Sequence, residues 1–363
     1  MWFSKNKEQN LENILYISID GRSIGIGFYT GTVCHYSERR IHISGESVKP
    51  IETLFKDIFY AFKNANTKPI DEIIVILESP WIKEKSTTIK YAREKPWLIT
   101  ANTVTEVIKK NKDLEKNTSP ELGFIVESIK LNGYTYQNPI GKITEEIEIS
   151  ITSFNGDIEI ISFFEESIKN FWNKTKITFK SGSEYILKSA KERNIQNDMY
   201  IYLGSTDTLM YIYSQGVVNR KVTVPFGFQH ILNHLNKTWS TNSNETKHWI
   251  ELFINENLEP TEQKKVDADI RNSLLDFINL LSNASQEVIR LSLERPITCY
   301  SSDVIWKNLF IYMLKNKYFG DVFPNIEHTI IQDLGETINN YQGDFLIALY
   351  VNEVMKEYAK KSY

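Results

Sequence analysis

Two short polar stretches and one histidine pair hold the side chains that could do chemistry. Asp20-Gly21-Arg22-Ser23 follows the apolar run Ile14-Leu15-Tyr16-Ile17-Ser18-Ile19 and offers a carboxylate and a hydroxyl around a glycine. Gly204-Ser205-Thr206-Asp207-Thr208 follows Met199-Tyr200-Ile201-Tyr202-Leu203 and offers hydroxyls and backbone amides. A carboxylate suits Mg²⁺, and a run of exposed N–H groups suits phosphate oxygens. Both stretches also read as ordinary hairpin turns, so the residues alone leave two readings open. His230 and His234 stand at i, i+4, which puts two imidazoles on one helix face. No third ligand lies near, and Ile231 occupies the place where a metalloprotease helix needs Glu, so a surface helix is expected. Trp81, Trp97 and Trp172 could stack on bases or sugars, but they sit among apolar strand and helix signals and are expected in cores.

The elements that would position the two turns repeat. Strand 14–19 ends at Asp20-Gly21, Ile24–Tyr29 follows with Gly25 and Gly27 alternating against apolar residues, and a third strand begins near Val33. Pro50 opens a helix with Leu54, Phe55, Ile58, Phe59 and Phe62 on one face, and Ile73–Leu77 reads as a strand buried on both faces. The texture changes at Pro80-Trp81. A strand, a helix over Thr103–Lys112 and alternating segments Ile125–Leu131 and Glu146–Phe154 form a small α+β unit, with turns at Asn132-Gly133 and Asn155-Gly156. A helix near Phe163–Trp172, a strand Lys176–Phe179 and a helix Ser183–Arg193 resume the α/β pattern. Strands Met199–Leu203, Leu209–Tyr213 and Val217–Val224 then repeat the opening meander after roughly 180 residues, an internal duplication. Val266, Ile270, Leu274, Phe277, Ile278 and Leu281 mark one long helix. Strand Ile297–Tyr300, helix Asp303–Leu314, a last strand Glu327–Gln332 and a helix capped by Asp344 close the pattern.

The totals agree with a two-core globular protein. The chain has 363 residues, with 42 basic and 46 acidic side chains for a net charge of −4. That balance gives no basic field for nucleic acid. Cys34 and Cys299 lie far apart, so a disulfide framework is not expected and a reducing compartment fits. Neither a signal peptide nor a spanning apolar run is visible.

The paired meanders resemble the actin/Hsp70/hexokinase superfamily, which implies an α/β, actin-like (ribonuclease H-like) fold duplicated into two lobes, with a nucleotide's phosphates held by the two turns. The insertion narrows the likeness. It falls between strand 73–77 and helix 163–172, where FtsA and PilM carry an SHS2-type α+β subdomain. Glu78-Ser79-Pro80-Trp81, Thr87-Thr88-Ile89, Lys95-Pro96-Trp97 and the run Gly141–Ser150 are similar to segments of that subdomain. The implied organisation is a first lobe beginning at 1–80, an SHS2-type insertion at 81–162, a return to the first lobe at 163–198 and a second lobe with a helical subdomain at 199–363.

The same resemblance implies the site. In relatives the first turn reads Asp-hydrophobic-Gly with a nearby Ser or Thr, so Asp20, Gly21 and Ser23 would meet phosphate and Asp20 the Mg²⁺. The second turn in relatives reads Asp-hydrophobic-Gly-Gly-x-Thr-Thr. Here Gly204, Ser205, Thr206 and Thr208 keep phosphate-loop character, but Tyr202 stands where the acid belongs, and mid-turn Asp207 is a poor replacement. Relatives hold adenosine on a Gly-Gly turn; this chain has Cys299-Tyr300-Ser301-Ser302, whose side chains would crowd it. ATP with Mg²⁺ is expected to bind weakly or not at all, without efficient hydrolysis, and no catalytic residue is assigned.

The implied function is a cytoplasmic FtsA/PilM-type scaffold or adaptor that recruits protein partners to a membrane-associated cell-division or type IV pilus assembly machine. It would reach the inner membrane through a partner, with self-association or filament formation, and with neither nucleic-acid binding nor direct membrane insertion. Lys360-Lys361 are too few for stable attachment to anionic lipid, which turns the expectation from FtsA toward PilM. The alternative is an active ATPase or small-molecule kinase of the same superfamily, resting on Asp20 and the 204–208 turn, with its second carboxylate unplaced.

Overall fold

The structure is a computed structural model that describes residues 12–20, 23–31, 33–41, 48–78, 80–112, 119–136, 138–192, 199–214, 217–280, 297–301, 303–316, 318, 331–333, 347, 350 and 351. Contacts divide the chain into one unit of Met1–Glu78, Ile158–Tyr185 and Asn340–Tyr363 and another of Ser79–Asp157 and Ile186–Asn339.

The first unit opens with β1 (Asn13–Ile19), β2 (Ser23–Thr30), β3 (Val33–Ile41), α1 (Val48–Ala65) and β4 (Glu72–Leu77). The chain then leaves for an insertion: β5 (Ile82–Leu98), α2 (Ala101–Lys112), β6 (Glu121–Leu131), β7 (Tyr134–Tyr136) and β8 (Ile143–Gly156). It returns through α3 (Ile158–Phe171), β9 (Lys176–Ser181) and α4 (Gly182–Glu192). The first sheet runs β3-β2-β1-β4-β9, antiparallel along the meander and parallel from β1 through β4 to β9. Ile73 to Leu77 are all buried, as a parallel strand covered on both faces requires. On α1, Phe55, Ile58, Phe59 and Phe62 recur at helical spacing and are fully buried. Phe55 meets Phe164 of α3 with ring centroids 5.0 Å apart, and Phe59 meets Trp172 at 5.1 Å. Beneath the sheet Tyr16, Tyr29, Tyr185, Ile347 and Tyr350 share one cluster, which ties the C-terminal segment to this unit.

The insertion is a four-stranded antiparallel sheet ordered β5-β8-β6-β7. One face packs Ile89, Trp97, Leu131, Ile147, Ile149 and Ile151 against Val107 and Ile108 of α2. Its β6–β7 hairpin turns on Asn132 (φ 49°) and Gly133 (φ 84°), both left-handed, as an Asn-Gly two-residue turn demands.

The second unit repeats the first sheet's plan. It contains β10 (Met199–Leu203), β11 (Thr208–Ser214), β12 (Val217–Val224), α5 (Phe228–Trp239), α6 (Ser243–Ile254), α7 (Pro260–Ser273), β13 (Ile297–Tyr300), α8 (Val304–Lys315) and β14 (Ile331–Asp333). The order β12-β11-β10-β13-β14 matches the first sheet strand for strand, with the same antiparallel and parallel pairings. Ile201, Met210, Ile212, Val222 and Val224 on one face join Ile231, Leu235, Ile270, Trp306 and Phe310 in a single core.

The apolar stripe expected on one long helix over 266–281 is interrupted. Leu274 is a turn, and helix resumes over 275–280. The Ser273 hydroxyl donates back to the Ile270 carbonyl at 2.7 Å, the side-chain competition that bends helices. Leu274 and Phe277 stay fully buried across the break, so the stripe survives while the helix does not. Leu281, Asp344 and residues 327–330 of the expected last strand lie outside the described residues; Ile331–Asp333 is strand.

Candidate functional site

In the first unit Ile19, Leu77 and Ser181 are register partners at the carboxyl ends of three parallel strands. Open α/β sheets bind ligands beyond such ends. The next residues along the chain are Asp20, Glu78 and Gly182. Asp20 is 5% exposed, and its carboxylate turns back on its own loop. Its Oδ1 accepts the Ser23 N–H at 2.7 Å and its Oδ2 accepts the Ser23 hydroxyl at 2.6 Å, while the Asp20 N–H donates to the Ser23 carbonyl at 3.1 Å. The structure thus brings Asp20 and Ser23 together; Gly21, expected between them, lies outside the described residues.

Two further buried acids stand on this edge, Glu78 after the neighbouring strand β4 and Glu184 just after β9. Glu78 is 1% exposed, and its N–H donates to the Ile19 carbonyl at 2.9 Å. Its Cγ lies 3.0 Å from where a Cβ on Gly182 would stand, so the glycine lets the acid lie against the start of α4. Glu184, 5% exposed, sits in the first turn of α4, with its N–H bonded to Ser181 Oγ at 3.3 Å. A helix start favours carboxylates there through its dipole. The available signal was positional: each acid follows an apolar strand within a few residues. Among the described residues no three His, Cys, Asp or Glu converge closely enough to hold a metal ion. A nucleotide-borne Mg²⁺ asks less of the protein, one or two carboxylates besides the phosphates. Each Asp20 oxygen already accepts one bond from Ser23.

The turn after β10 is closed from inside. The Gly204 N–H donates to the Asp207 carbonyl at 2.8 Å. The first amides of α5 then cap the turn: Phe228 N–H reaches the Gly204 carbonyl at 3.2 Å and Gln229 N–H the Ser205 carbonyl at 2.9 Å. Helix-start amides are the groups an anion would use, and here these two are spent on carbonyls. Thr208 is fully buried with its hydroxyl on the Phe226 carbonyl at 2.8 Å. Gly227 completes the seal, since a Cβ there would stand 2.5 Å from the Ser205 carbonyl. A Cβ on Gly204 would stand 2.6 Å from the Asp207 carbonyl oxygen. The hydroxyl-bearing Ser205 and Thr206 remain half-buried at the turn's tip. Tyr202, where relatives have an acid, is 3% exposed.

The third expected element is also committed. Ser301 Oγ donates to the Leu203 carbonyl at 2.7 Å, and Asp303 caps α8 by accepting the N–H groups of Ile305 at 3.0 Å and Trp306 at 3.2 Å. The other Asp303 oxygen pairs with Lys247, and Phe228 stacks on Trp306 with centroids 5.5 Å apart. Ser302 lies outside the described residues. His230 and His234 are exposed on α5, and His230 Nδ1 accepts the Gly227 N–H at 3.1 Å, a capping role.

No protein-family model matches the sequence. No curated protein sequence matches it either. Among solved structures the chain is similar to the PilM–PilN type IV pilus biogenesis complex, with TM-score 0.53 and 10% identity over 95% of this chain and 99% of that one. MreB 5 of Spiroplasma citri bound to AMPPNP matches with TM-score 0.45 and 11% identity over 97% and 98%. A Bacteroides thetaiotaomicron protein with actin-like ATPase fold matches with TM-score 0.43 and 10% identity over 96% and 99%. Identity at this level speaks for fold and not activity, and only the first of these scores carries weight. With two sheets of identical order joined to that whole-chain likeness, the chain has the duplicated, actin-like α/β fold.

Proposed function

We propose that this chain is a PilM-type scaffold that recruits protein partners to a membrane-associated assembly machine, with a pilus-type machine favoured over a division machine. The likeness to the PilM–PilN complex over nearly the whole chain carries the reading. The inserted sheet is then the SHS2-type, partner-contact subdomain. Attachment to the membrane then runs through the partner, and no helix among the described residues is long and apolar enough to cross one. The closed second turn supports a site that does not turn nucleotide over: Gly204, Ser205, Thr206 and Thr208 bind phosphate weakly or not at all, and Asp20 and Ser23 hold each other. The test is co-purification with the cytoplasmic tails of membrane proteins encoded beside its gene. Binding of one tail is expected; failure of every tail to bind would end the scaffold reading.

One observation favours an ATPase or small-molecule kinase instead. Asp20, Glu78 and Glu184, buried at one sheet edge, are the kind of acids phosphoryl transfer uses to hold metal and orient a nucleophile. MgATP turnover lost in both Asp20→Ala and Glu184→Gln would establish that reading.

A further inference from the structure

The insertion interrupts the first unit in sequence, between β4 and α3, yet it packs as part of the second. We propose that a partly buried polar latch, Glu84 on β5 with Lys221 on β12 and Tyr211 on β11, fixes the inserted sheet to the second-lobe sheet, so that the insertion is carried by the lobe it does not belong to in sequence. Tyr200, Tyr211 and Lys221 form one row across β10, β11 and β12. Their neighbours Ile201, Met210 and Val222 point to the helical core, so the row lies on the opposite face. Tyr200 is fully buried and Tyr211 is 2% exposed.

Glu84 meets this row with both oxygens. The Tyr211 hydroxyl donates to Oε1 at 3.2 Å, and Oε2 pairs with Lys221 Nζ, whose ammonium also lies 5.6 Å from the Tyr211 ring centroid. The side chains of Glu84 and Lys221 keep only 11% and 25% exposure. On β5, Glu84, Ser86 and Thr88 share the face opposite Ile89. That face is largely hydroxylic: Ser86 bonds Thr152 at 2.9 Å and Thr88 bonds Ser150 at 3.4 Å, while Phe154, the cross-strand partner of Glu84, is fully buried. The insertion's larger apolar set is spent on α2.

A pair largely withdrawn from water contributes little net stability, but losing one partner leaves the other charge poorly solvated, so its effect is to specify one docking arrangement. The latch rests on the contacts alone and stands whether or not the scaffold reading does.

The test is amide hydrogen exchange on the full chain. Glu84→Gln and Lys221→Met should each raise exchange about tenfold in 82–88, 150–156 and 217–224, while β1 and β4 keep their protection. The swap Glu84→Lys with Lys221→Glu should restore protection to within about threefold of the parent. Tyr211→Phe, which keeps the ring, should raise exchange about threefold in the same segments. Unchanged exchange in the two charge variants would overturn the latch. If either loses protection throughout the chain, Tyr211→Phe decides, and unchanged exchange there overturns it equally.

Discussion

The two turns of the duplicated sheets share one plan and one backbone bond, Asp20 N–H to the Ser23 carbonyl in the first and Gly204 N–H to the Asp207 carbonyl in the second, but are completed by different means. After β1 the addition is a side chain: the Asp20 carboxylate holds the Ser23 amide and hydroxyl, bonds that a competing ligand could replace without moving backbone. After β10 the closure is backbone on backbone, with the α5 amides on the Gly204 and Ser205 carbonyls and two glycines where no Cβ fits. A repeated topology does not carry a repeated site. What a strand end can bind depends on whether its polar groups are satisfied by something that can let go.

The largest expected effect tests that backbone closure. Gly227→Ala would drive a methyl into the Ser205 carbonyl, and should cost about 3 kcal/mol of unfolding free energy by urea titration. In the first unit Gly182→Ala meets the Cγ of Glu78, the middle of a side chain that can shift, and should cost about 1 kcal/mol. Equal costs at the two positions would erase the contrast between the lobes.

Alkaline titration probes both units at once. Burial pushes the Tyr350 phenol up, helped by Tyr185, and burial also pushes up Tyr318, helped by its bond to Asp267. The unfolded chain releases these protons near pH 10 while the folded chain keeps them, so folded stability should fall as pH rises past about 10. The slope should approach about 1.4 kcal/mol per pH unit for each such tyrosine. Tyr350→Phe should flatten the first unit's share, read from urea midpoints at stepped pH. Ser23→Ala, which removes one hydroxyl bond to Asp20, should cost no more than Gly182→Ala, about 1 kcal/mol.

Much of this architecture was legible in the residues, because the signals were local. Period-two and buried runs located both meanders, and the 3.6-residue stripe on α1 named its buried phenylalanines. The break at Leu274 was not legible, since an apolar stripe keeps its phase through one turn while Ser273 rebonds the backbone. Glu78 and Glu184 escaped notice for a related reason: an acid at a strand end or helix start looks solvated until the sheet register lines it up with Asp20. The docking of the insertion through Glu84 and Lys221 joins residues far apart in sequence and left no local mark. At 204–208 the composition suggested a phosphate loop; that the α5 amides would be spent on its carbonyls depends on where a later helix begins.

The most direct test of the account is a phosphate-release assay on the full chain with saturating MgATP, preceded by calorimetry to learn whether the nucleotide binds. A scaffold whose second turn is sealed by its own helix predicts release no faster than in protein-free buffer, whatever the affinity. Steady turnover that disappears in Asp20→Ala would contradict it.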